Sequence, residues 1–205
     1  IREVSVIAHV VRVFEDSNIV KEGAVDPRSD YLTINTELQI ADLQTLQNMS
    51  EKALRTDPLK SGAVEKLKVV LDKGQNASET SLTEEEIQAV KELNLLTSKK
   101  DIVVLNVSEG SYNPTSIEKI IQDYSSLLGV SPLKMVAVSA KIESELAALS
   151  DEEQKEYLKD LGLEFSGLEM LIQKAYESLG LISFLTAGVK EVKAWTIRLG
   201  STSLA

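Results

Sequence analysis

Two short β-branched runs stop abruptly at polar clusters. Ile102-Val103-Val104-Leu105, entered from Asp101, ends on Asn106-Val107-Ser108-Glu109-Gly110, and Val136-Ala137-Val138 ends on Ser139-Ala140-Lys141. Such runs read as buried parallel strands whose carboxyl ends carry polar side chains. A third run, Val4 to Phe14, is interrupted by Ser5, His9 and Arg12 and is predicted to be the first strand. Between the strands the apolar spacing changes from two to three or four. Asp26-Pro27 is a helix start, and Leu32, Ile34, Leu38, Ile40, Ala41, Leu43, Leu46 and Met49 predict a helix reaching about Arg55. At ~1.5 Å per residue it would exceed ~40 Å and project from a small domain.

Asp57-Pro58 closes that helix and opens another through Val64, Leu67, Val70 and Leu71, ending near Gly74. Thr83 before Glu84-Glu85-Glu86 starts a third, with Ile87, Val90, Leu93 and Leu95-Leu96 on its apolar side. The segment reads as an antiparallel helical arm inserted between strands. Helices follow over Ser116 to Leu128, Ile142 to Leu149, from the Ser150-x-x-Glu153 capping box to about Leu161, and over Leu168 to Leu179. The passage from Ile102 to Val138 is the size of a crossover between parallel strands. Ile182 to Thr186 and Val192 to Ile197, joined through Gly188, read as a hairpin. The expected fold class is α/β, a parallel sheet with an inserted antiparallel, coiled-coil-like helical arm.

Composition narrows the chemistry. The 205 residues contain no cysteine and one histidine, which excludes disulfides, thiolate catalysis and Cys-based zinc sites. A net charge of −10 argues against a surface that tracks nucleic-acid phosphates, so no DNA partner is expected. No run approaches the ~18 apolar residues of a membrane span. His9 could act as a base or ligand, but no second ligand lies at useful spacing. The chain lacks an initiator Met and enters a strand almost at once, from which a fragment is expected.

Ligands of open α/β sheets bind outside the carboxyl ends of the strands. If the two polar clusters are neighbours there, the Glu109 carboxylate can accept from a planar base while the Lys141 stem lies against its ring. A backbone N–H of the Ser139-Ala140 turn completes the pocket. The same residues could equally be an Asx turn at Asn106 with Glu109 and Lys141 in solvent.

Asn106-Val107-Ser108-Glu109 followed by Ser139-Ala140-Lys141 resembles the fourth and fifth base-recognition motifs of P-loop GTPases. The flanking stretches Ile7 to Arg12, Val25-Asp26-Pro27, Ile34 to Leu38, Leu95-Leu96-Thr97, Ala140 to Leu146 and Thr186 to Ile197 are similar to the Obg-like ATPases, the YchF branch of the Obg-related GTPases. The resemblance implies that Asn106, Ser139, Ala140 and Lys141 contact the base, with Val107 and Glu109 standing where ordinary GTPases have Lys and Asp. A longer carboxylate and a missing lysine imply relaxed or adenine-preferring recognition, ATP ahead of GTP. The resemblance also implies an ATP/GTP hydrolase that uses Mg2+, a ribosome or RNA partner, and a cytoplasmic location. It implies a partial P-loop NTPase-type sheet and places residues 1–26 and 97–181 in the C-terminal half of the nucleotide-binding domain, 27–96 in the inserted arm and 182–205 at the start of a TGS domain, a small β-grasp module.

One departure from the pattern is decisive. No GxxxxGK[ST], no metal-binding switch I Thr and no DxxG can be read in these 205 residues. Those elements cradle phosphates and Mg2+ and carry phosphoryl transfer. The chain is therefore expected to carry base recognition without catalysis, its metal ligands lying elsewhere. The first strand is expected to present an apolar edge where a central strand belongs. The alternative expectation is a non-catalytic interaction module, arm plus TGS, that binds a ribosome or protein partner.

Overall fold

The computed structural model describes residues 2–15, 25–49, 56–189 and 191–202. The chain divides into two compact units, one of residues 1–7 and 28–100, the other of residues 8–27 and 101–205.

Strands β1 (Val6–Arg12), β2 (Lys100–Asn106) and β3 (Met135–Val138) form a parallel sheet in that order, so β1 is an edge strand. Ile102, Val103, Val104 and Leu105 are buried, which is why the run shows no polar alternation. In β1 the pleat sends His9 and Val11 inward and leaves Val10 exposed. β2 and β3 pair with Asn106 opposite Val138. They are joined through α4 (Pro114–Leu128), which Asn113 caps by accepting from the Ser116 N–H at 3.1 Å. Gly129 ends it at φ 67°, a left-handed conformation that other residues adopt only under strain. Below the strand ends, Val107, Tyr112, Ala137, Ile142, Leu146 and Leu158 form a buried cluster. Helices α5 (Ala140–Leu146) and α6 (Asp151–Asp160) supply half of it, and each large side chain contributes about 1.5–3 kcal/mol by leaving water. The capping box Ser150-x-x-Glu153 forms as the sequence predicts. Helix α7 (Gly167–Leu179) starts from a second box, Ser166-x-x-Glu169. Gly167 is required there, because a Cβ would lie 2.7 Å from the Tyr112 hydroxyl. Strands β4 (Leu181–Ala187) and β5 (Val192–Arg198) form the hairpin, with Phe184 opposite Trp195.

The helical unit differs from its expectation in two respects. Helix α1 (Pro27–Gln47) stops well before Arg55 and is about 31 Å long. Residues 50–55 lie outside the described ones. Its predicted apolar positions are also divided: Leu46 is buried and Leu43 and Met49 pack against the core, whereas Leu32, Ile34 and Ile40 are exposed while Gln39 and Asp42 are buried. Two polar side chains win these places because each is held by hydrogen bonds. Gln39 donates to the Gly74 carbonyl at 3.0 Å and to Asn76 Oδ1 at 2.8 Å. Asp42 accepts from the Leu96 N–H at 2.8 Å, the Thr97 N–H at 2.7 Å and the Thr97 hydroxyl at 2.8 Å, and the Arg2 guanidinium stands 3.5 Å away.

The rest of this unit packs on α2 (Pro58–Asp72), capped by Asp57, whose Ala63, Val64, Leu67 and Leu71 meet Leu46, Ala77, Val90 and Leu95. Helix α3 (Glu84–Val90) forms the Thr83-x-x-Glu86 capping box, and Lys66 holds Glu86 from α2 at 2.7 and 2.9 Å. Those bonds keep the Glu86 carboxyl below its ordinary range, the one from Lys66 first. The third helix is shorter than predicted: after Val90 it tightens into a 3₁₀ turn, Lys91–Leu93, and Asn94 at φ 47° ends it.

Candidate nucleotide-base site

Register builds this site. Beyond the paired ends of β2 and β3 the ladder continues for one more bond, from the Val107 N–H to the Val138 carbonyl at 2.9 Å, and the Asn106 carbonyl accepts from the Val13 N–H at 3.0 Å. The Asn106 side chain therefore lies beside the start of α5, and its Oδ1 accepts from the Ala140 N–H at 3.1 Å. A backbone N–H can only donate, so this bond fixes which end of the amide faces Ala140 and leaves the Asn106 NH2 group for another acceptor.

Around it opens a cavity of about 460 Å³, walled by Phe14, Glu15, Asn106, Val107, Ser108, Glu109, Gly110, Ala140 and Lys141. The structure thus brings Asn106, Val107, Glu109, Ala140 and Lys141 onto one cavity. Ser139 is the exception. It is wholly buried, it is absent from the cavity wall, and its hydroxyl has no hydrogen-bond partner among the described residues. Its visible work is structural, as the cap residue of α5 whose carbonyl accepts from the Glu143 N–H at 2.9 Å. Phe14 and Glu15 are wall residues that the motif reading missed. They follow β1 directly, and the signal was the position of an aromatic residue at another strand's carboxyl end.

Lys141 donates to Glu109 Oε2 across the mouth of the cavity, and Glu145 Oε1 lies 4.0 Å from the same ammonium. The hydrogen bond to Glu109 is the main reason that the Lys141 pKa is raised above its ordinary value. Tyr157 donates to Glu145 Oε2 at 2.8 Å, and that bond raises the Tyr157 pKa. Farther in, Glu143 Oε1 accepts from the Gly167 N–H at 2.7 Å. Burial, and then the Glu143 charge, push the Tyr112 phenol up to about 12.

His9 is not part of the cavity wall, and burial lowers its pKa against a raising influence of Asp101. Among the described residues no group of three or more His, Asp or Glu side chains could hold a metal ion. Of the cavity carboxylates, Glu109 is engaged by Lys141. With Glu15 the only other carboxylate on the wall, the described residues do not supply a ligand set that fits a Mg2+ site. No described helix is long and apolar enough to cross a membrane.

Comparison with known proteins points one way. No protein-family model matches the chain. It is 39% identical over 99% of its length to a Haemophilus influenzae protein named ribosome-binding ATPase YchF, and 40% identical over 98% of its length to the Bacillus subtilis protein of that name. The solved structure of the Schizosaccharomyces pombe YchF GTPase superimposes with a TM-score of 0.78 at 29% identity, over 98% of the chain. In each case the chain spans 57% of the relative's own length.

Proposed function

The chain belongs to the YchF family over essentially its whole length, and from that premise we propose that the cavity at the ends of β2 and β3 reads the purine base of ATP in preference to GTP. In this reading the intact protein is a ribosome-associated nucleotide hydrolase working with Mg2+, and these 205 residues supply base recognition but not phosphate binding or catalysis. The bacterial relatives are named ATPases and the yeast one a GTPase, so the choice of base has to be argued from the cavity itself.

One observation carries the argument: Glu109, which the motif resemblance puts in the position of the base-reading carboxylate, is already held by Lys141. Guanine presents two adjacent donors, N1–H and N2–H, that need a free and correctly placed carboxylate. A longer side chain turned toward a lysine accepts them poorly, and a buried donor left without an acceptor costs about 1–3 kcal/mol. Adenine has no such pair. The Asn106 NH2 group can donate to N7, which both purines carry, so Asn106 holds the ring while Glu109 discriminates. Phe14 and the Lys141 stem offer the faces between which a ring can lie.

Calorimetric titration tests both halves of the proposal. The chain alone should bind ATP and GTP weakly and without dependence on Mg2+, and tight Mg2+-dependent binding would overturn the division of labour. In the intact protein Glu109→Asp should move the ATP-to-GTP affinity ratio toward GTP by about tenfold; an unchanged ratio would remove Glu109 from base choice.

A second, compatible reading rests on the hairpin. Phe184, Leu185 and Trp195 are exposed on β4 and β5, and the Lys193 ammonium stands 4.3 Å from the centre of the Trp195 ring. Exposed aromatic and cationic groups on a two-stranded ribbon suit an interaction module, the opening of a TGS domain, that contacts a ribosome or protein partner.

A further inference from the structure

The helical unit contains a cavity of about 430 Å³ that base reading leaves unexplained. Its apolar lining includes Leu67, Val90 and Leu95 from the core of that unit. The charged part of its lining is of one sign. Lys91, Lys99 and Lys100 line it, no acidic residue does, and none of the three lysines has a carboxylate within ion-pair distance among the described residues. This is unexpected in a chain with 32 acidic and 22 basic residues. Lys60 and Lys66, in the same unit, each hold a glutamate, Glu92 and Glu86.

We propose that this cavity is a binding site for a small organic anion, an apolar body of modest size carrying a carboxylate or phosphate group. The volume is in the range of small-molecule sites, an apolar floor with a few convergent polar groups is their usual composition, and the lysines select the charge. The body rests on Leu67, Val90 and Leu95, and the anionic head meets the ammonium groups at the rim. This site is separate from the base cavity and shares no residue with it.

The test uses 1-anilinonaphthalene-8-sulfonate, an aromatic body with one anionic group, titrated by fluorescence into the whole 205-residue chain. One saturable site is expected, displaced by octanoate and by octyl phosphate but not by octanol, and weakened by salt. Which of the two acids displaces the dye at lower concentration distinguishes a carboxylate ligand from a phosphate one. The triple variant Lys91→Gln, Lys99→Gln, Lys100→Gln should weaken dye binding by about tenfold or more. A control with Lys119→Gln, Lys155→Gln and Lys159→Gln removes equal charge elsewhere and should leave it within twofold. Circular dichroism confirms that each variant is folded. No saturable site, equal loss in both triple variants, or displacement by octanol as effective as by octyl phosphate would overturn the proposal.

Discussion

Asp42 in the helical unit and Glu109 at the base cavity are both carboxylates that meet a cation, and their surroundings are opposite. The Asp42 side chain is 0% exposed, and its two oxygens face four donors, the N–H groups of Leu96 and Thr97, the Thr97 hydroxyl and the Arg2 guanidinium. Glu109 keeps 46% of its side-chain surface and is engaged by one lysine that is itself 64% exposed. A carboxylate whose lone pairs are all committed has nothing left for a ligand. A carboxylate held by one exposed lysine can be reached by a base, but only in competition with that lysine. The difference separates a group that holds the fold from a group that can recognise something, although their residue chemistry is nearly the same.

The comparison can be broken at either end, and the largest effect belongs to the sealed end. Asp42→Ala should lower unfolding stability by about 3 kcal/mol or more, because it strands two buried N–H groups and a hydroxyl; a loss below about 1 kcal/mol in urea titration would show that the latch is dispensable. Thr97→Val should cost about 1–2 kcal/mol in the same titration, since the Thr97 hydroxyl also accepts from the Ala77 N–H at 2.9 Å.

His9 extends the sealed class to the sheet, where the expected readout is a pH dependence. Its folded pKa lies below the ordinary 6.5 because burial disfavours the charged ring. The unfolded chain therefore takes up the proton first. Its contribution is fully present above about pH 6.5 and is lost as pH falls through the lowered folded value. His9→Gln should flatten that part of a stability-against-pH curve, and an unchanged curve would assign the acid sensitivity elsewhere. The smallest effect belongs to the open end. Glu109→Gln should leave stability within about 0.5 kcal/mol, as exposed ion pairs usually do; a larger loss would place Glu109 with Asp42.

The same division decides what the sequence could show. Capping boxes at Thr83 and Ser150 are local, with partners three residues apart, and they form where the pattern placed them. Strand ends are legible too, which is why Asn106, Val107, Glu109, Ala140 and Lys141 could be grouped from two motifs. The burial of Asp42 could not be read, because its donors on Leu96 and Thr97 lie 54 and 55 residues away. Counting apolar residues along α1 therefore chose Leu46, which is buried, but also Leu32, Ile34 and Ile40, which are exposed. Phe14 reaches the cavity only because β1 lies beside β2, a pairing that no local pattern encodes. Ser139 shows the opposite failure: its motif neighbours line the cavity while its own side chain is turned into the interior.

The ladder that pairs Asn106 with Val138, and continues from Val107 to Val138, sets where recognition can tolerate change in the course of evolution. The distance from Asn106 to Ala140 is fixed by the register of two strands, not by the length of what connects them. Residues can be gained or lost in the crossover between Gly110 and Pro132 while the two motifs stay in place. A single residue gained inside β2 would turn every side chain beyond it to the opposite face and separate the motifs at once.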